Sequence, residues 1–87
     1  MKMEKKIAVI GVILDHPQQV QFEFNKTISE YKDIVRGRLG LPLVEQGISA
    51  VSLTVVGSLD RINSLTGKLG NIEGVSVKTS ISKKEIE

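Results

Sequence analysis

The sequence predicts an α+β ferredoxin-like sandwich of order βαββαβ, a four-stranded antiparallel sheet with two helices on one face. Three observations lead there. Two segments carry apolar residues at helical spacing, around residues 20–31 and 59–69. Four others read as strands, by a continuous apolar run or by alternation. All six fit into 87 residues with no linker, low-complexity tract or duplication, so residues 1–87 form a single domain.

Residues 5–14 open with Ile7, Ala8, Val9, Ile10, Gly11, Val12, Ile13 and Leu14, apolar on both faces. Such a strand is central and covered on each side. The helices cover one face, and the other calls for a second sheet from another subunit. Asp15-His16-Pro17 turns the chain into a helix, with proline near its first position and Asp15 or His16 as the cap. Val20, Phe24, Thr27, Ile28 and Tyr31 form its buried stripe, and Phe22 lies off that stripe as an interface candidate.

Residues 33–44 read as the second strand. Val35, Gly37, Leu39 and Leu41 point one way, taken as the core side, while Ile34, Arg36, Arg38 and Gly40 point the other. Pro42 places this strand at an edge or near its end. After a turn at 45–47, residues 48–56 give a third strand with Val51, Leu53 and Val55 on its core face.

The second helix has Leu59, Ile62, Leu65 and Leu69 on one stripe, Ser58 as N-cap and Asp60 in the first turn. Gly70 is the expected left-handed stop. Gly67 inside the helix costs about 1 kcal/mol relative to alanine, and Gly67-Lys68 is a place where a ligand or partner can approach the backbone. The fourth strand alternates Val75, Val77, Thr79 and Ile81 with Ser76, Lys78 and Ser80. Residues 82–87, SKKEIE, read as a tail, frayed over about 83–87.

Composition narrows the function. A net charge of +2, with acidic and basic residues interspersed, gives no basic arm for nucleic acid. The absence of cysteine removes disulfides, thiolate nucleophiles and cysteine-type metal or cluster sites. The apolar run after the first lysines is too short to span a bilayer and lacks a small-residue cleavage site, so a cytoplasmic, non-membrane protein is expected.

Thr66-Gly67-Lys68-Leu69-Gly70, followed by Ile72, Gly74-Val75 and Val77-Lys78-Thr79, resembles the small regulators of the iron-only hydrogenase system. That family is similar in turn to ACT domains and to the C-terminal domain of the nickel-responsive repressor. The resemblance covers nearly the whole chain and implies a regulatory domain with a small effector or protein partner at a subunit interface, and the mixed apolar face of the sheet predicts a homo-oligomer, a dimer or tetramer. The nickel repressor has a separate DNA-binding domain ahead of its related one. This sequence opens on its first strand, so transcriptional regulation is expected to run through a partner or through the domain's own basic face.

Candidate ligand-binding residues are Asp15, His16, Arg36, Arg38, Gly67 and Lys68. Asp15-His16-Pro17 resembles the ACT-domain turn, with Gln18 where that family has glycine. One histidine and no cysteine cannot assemble the nickel repressor's metal site, so no metal and no cofactor are expected. Candidate interface residues are Ile34, Arg36, Arg38, Ser52, Thr54 and Lys78, on the sheet face away from the helices. The central strands of that face lack the aromatics on which RNA-recognition domains stack bases. No catalytic constellation or phosphate loop occurs, and a non-enzymatic role is expected. Two alternatives stay open: nucleic-acid binding through the basic sheet face, and an adaptor docking on a maturation enzyme.

Overall fold

The computed structural model describes residues 4–86. The elements follow the expected order: β1 (Lys5–Asp15), α1 (Pro17–Ser29), β2 (Val35–Leu43), a 3-10 turn (Val44–Gln46), β3 (Ile48–Gly57), α2 (Leu59–Gly70) and β4 (Val75–Ile86). The strands form one antiparallel sheet in the order β2-β3-β1-β4. The apolar strand β1 is central, as its composition requires, and β2 with Pro42 is an edge.

Both helices cover one sheet face. The core comprises Ala8, Ile10, Val12 and Leu14 of β1, Val51, Leu53 and Val55 of β3, Phe24 and Ile28 of α1, and Ile62, Leu65 and Leu69 of α2. Tyr31, Ile34, Ile72 and Val75 close it at the connections. In α2 the Ser58 hydroxyl accepts from the Arg61 N–H, so the expected N-cap is formed. Leu59, expected on the buried stripe, is 44% exposed because it stands at the first turn.

Four local expectations are corrected. His16 holds the N-cap position of α1, one of the two residues expected there, but neither it nor Asp15 makes a side-chain cap hydrogen bond. His16 instead enters the helix with φ 54°, in the left-handed region, and Asp15 ends β1. The left-handed glycine after α2 is Gly74 (φ 87°), not Gly70, which is still helical. Residues 82–86 are not a tail. They continue β4 beside β1, with Lys6 opposite Glu85 and Lys5 opposite Ile86 beyond a register shift, while Glu87 lies outside the described residues.

The fourth correction concerns β2. Val35 pairs with Val55, but Gly37 pairs with Thr54, so β2 spends an extra residue, Arg36, where β3 advances by one. This bulge reverses the phase of the alternation. Leu39, opposite Ser52, and Leu41, opposite Ala50, therefore point away from the helices, and Arg38, opposite Leu53, points toward them.

Two backbone predictions arise here. A left-handed φ on a non-glycine residue costs about 1–2 kcal/mol, so His16→Gly should be neutral to stabilising by up to about 1 kcal/mol, while His16→Val should be destabilising. At Gly67 an added Cβ meets nothing within 4 Å. Gly67→Ala should therefore stabilise by about 0.5–1 kcal/mol. Denaturant midpoints read both.

Candidate functional site

Three surface regions gather the chemistry-bearing side chains. The first is the sheet face opposite the helices. Pairing aligns its residues in rows across all four strands: Gly37–Thr54–Val9–Ser80, then Leu39–Ser52–Gly11–Lys78, then Leu41–Ala50–Ile13–Ser76. Leu39 is 73% exposed and Leu41 59%, with Ile7, Val9, Ile13 and Leu43 also open to solvent. Between the edge leucines and Lys78 lie Gly11, Ala50, Ser52 and Ser76 with Ile13 among them, and they leave a groove of about 500 Å³. A contiguous apolar surface of this kind marks an interaction site in a soluble protein.

The second region is a smaller cleft of about 260 Å³ at the end of the sheet, lined by His16, Pro17, Gln18, Gln21, Pro42 and Val44 among others. His16 is held there by its backbone, its N–H donating to Gly47 O at 3.2 Å and its carbonyl accepting from Gln19 N at 2.9 Å.

The third lies on the helix layer. The Tyr31 ring is buried, with the Arg61 guanidinium 4.4 Å and the Lys68 ammonium 5.3 Å from its centroid. The Tyr31 and Ser64 hydroxyls share a hydrogen bond. Arg61 is paired with Asp33 at 2.6 Å and Lys68 with Glu30 at 3.6 Å. The bond to Ser64, with the two cations, holds the Tyr31 phenol below its ordinary pKa. The Tyr31 hydroxyl and the Glu30 carboxylate raise that of Lys68. Each charge here has a partner within the chain, and the cluster ties the α1–β2 connection to α2.

The six candidate ligand residues do not converge. His16 alone of them lines the cleft, and none lines the groove. Lys68 is turned to Glu30 and Tyr31. Arg38 donates to Asn25 Oδ1 at 2.6 Å and lies over the Phe24 ring, on the helix side. Of the six candidate interface residues, Ser52, Thr54 and Lys78 stand on the open face. Ile34 is 5% exposed in the core and does not belong to that face, and Arg36 sits at the bulge, outside the face's rows, and donates to Asp33 O. Sequence reasoning missed Leu39, Leu41 and Leu43. Gly37, beside the bulge, was the available signal.

Among the described residues, no three His, Cys, Asp or Glu side chains gather in a way that holds a metal ion. No helix is long and apolar enough to cross a membrane.

Against known proteins, residues 6–79 match the TM1266-like family model, described as "Iron-only hydrogenase system regulator, putative". The chain belongs to this family. Among solved structures it is similar to TM1266 from Thermotoga maritima, with 28% identity, 92% of this chain and 100% of that one covered, and a TM-score of 0.88. The fold is shared with the ACT domain of GTP pyrophosphokinase from Chlorobium tepidum (17% identity, 92% and 89% covered, TM-score 0.69). It is shared too with the C-terminal domain of the MgtC protein from Mycobacterium tuberculosis (13% identity, 95% and 94% covered, TM-score 0.70). No curated protein matches the sequence. The chain thus has an ACT-like fold and belongs to a family described as regulatory.

Proposed function

We propose that the chain is a non-enzymatic regulator of the iron-only hydrogenase system that works in the cytoplasm as an oligomer, two copies stacking their open sheet faces with an effector or partner met between them. The observation that carries this is the apolar face centred on Leu39, Leu41 and Ile13. The six exposed apolar side chains of that face offer several hundred Å² per copy. Face-to-face stacking then buries on the order of 1,000 Å² in total, near the lower end for specific interfaces. Sheets packed in this way interdigitate their inner side chains about 10 Å apart. The family match supports the regulatory role.

Direct nucleic-acid binding through this face has less support. With Arg36 at the bulge and Arg38 on the helix side, Lys78 is left as the one cation in the three central rows. The test is genetic and uses the native host. Deleting the gene should alter the level or activity of iron-only hydrogenase, and the wild-type gene should restore it. A variant carrying lysine at Leu39 and Leu41 should not. Hydrogenase unaffected by the deletion would refute the regulatory role.

A further inference from the structure

Resting on the stacking proposed above, we infer that the groove at the centre of the open face binds a small amphiphilic carboxylate, an apolar chain with one anionic head, with Lys78 as its counter-charge. The first reason is the arrangement of the rows. A sandwich interior fills its middle with large side chains, yet the middle of the central row is only Ser52 and Gly11, with Ala50 and Ser76 beside it and the larger Val9 and Ile13 of β1 one row to either side. A second copy laid over it leaves a space where the sheets meet. At about 500 Å³ per copy, the groove falls within the range of small-molecule sites.

The second reason is polarity. The central row runs from Leu39 on the β2 edge, across Ser52 and Gly11, to Lys78 on β4. Three strand spacings separate its ends, about 14 Å, the length of a medium-chain carboxylate lying across the strands. Its tail would rest against Leu39 and Leu41 and its head beside Lys78.

The third reason is what covering the face does to Lys78. Among the described residues its ammonium makes no ion pair, and the three central rows carry no acidic side chain that a symmetric copy would bring to it. A buried cation without a partner is strongly unfavourable. A carboxylate head removes that penalty, and Ser76, two residues from Lys78 on the same face of β4, offers it a hydroxyl donor. The nearest acid on the face, Asp15, ends β1 four residues beyond Gly11, about 13 Å along the strand.

Calorimetric titration of the full chain with octanoate, and with 1-octanol as its neutral match, tests this. Octanoate should bind about tenfold or more tightly than octanol, the worth of a charge-assisted contact. Lys78→Gln should abolish that preference while leaving octanol binding and sedimentation mass unchanged. Equal affinity for acid and alcohol, or no octanoate binding, overturns the inference. So does dissociation of the ligand-free oligomer by Lys78→Gln, which would mark Lys78 as an ion-pair partner of Asp15 across the interface. If the wild type sediments as a monomer and still prefers octanoate through Lys78, the stacking is refuted and the groove assignment stands.

Discussion

Replacing Leu39 and Leu41 together by lysine is expected to convert the oligomer to a folded monomer. Both side chains are mostly exposed in the single chain and touch no part of its core. Their loss should therefore leave the unfolding midpoint of the monomer within about 0.5 kcal/mol of the parent, and lysine is a residue that edge strands such as β2 tolerate well. In a symmetric stack each of these positions is buried in both copies, four leucines in all. At about 1.5–3 kcal/mol for each fully buried leucine, the dissociation constant should rise by at least about a thousandfold. Phe22, 79% exposed on α1 in the opposite layer, provides the control. Phe22→Lys should leave the assembly unchanged if the open sheet face is the interface, and should disrupt it if the helix layer is.

The second large effect is on stability. Gly57→Ala should destabilise the domain by about 1–3 kcal/mol. Gly57 ends β3 in a buried position, and a Cβ there would lie 2.7 Å from Ile34 Cγ2 and 3.2 Å from Ile34 Cβ. Ile34 has little room to retreat. Its carbonyl accepts the Val56 N–H at 2.8 Å, and its own N–H donates to Tyr31 O at 2.9 Å, so the α1–β2 connection is fastened against the end of β3. Ile34→Ala alone should cost about 2–5 kcal/mol through the cavity it leaves. Combined with Gly57→Ala the costs should be less than additive, because the new methyl enters that cavity. Additive costs in a denaturant-unfolding double-mutant cycle would contradict the close approach.

These two sites also show what could be read in the sequence. The phase of β3 and of the first half of β4 was legible because each alternates, and their buried faces are those the periodicity assigns, while β1, apolar on both faces, announced its central place but not its phase. The same reasoning carried through β2 put Leu39 and Leu41 in the core, and one bulged residue, Arg36, sent them to the surface. A bulge depends on how the partner strand advances, which alternation within a single strand does not record. The extension of β4 was hidden for a related reason. Residues 82–86, SKKEI, have little intrinsic strand character, and their order comes from the paired N-terminal end of β1 at Lys5 and Lys6. Gly70 had the sequence position of a helix stop, but the chain continues through a turn and reserves its left-handed conformation for Gly74, where a Cβ would lie 3.2 Å from the Asp15 carbonyl oxygen. Of the candidate site, the second apolar face of β1 was legible, and with it the need for a covering partner. The leucine rim that gives the face its shape was not.

The measurement that bears most directly on the central claim is sedimentation equilibrium of the wild-type chain beside the Leu39→Lys, Leu41→Lys variant. Stacking through the open face predicts a wild-type mass that is a whole multiple of 9.5 kDa, two or more, and a variant that falls to the single-chain mass while still unfolding cooperatively. A wild type that remains at 9.5 kDa across the concentration range, or a variant that keeps the wild-type mass, would contradict it.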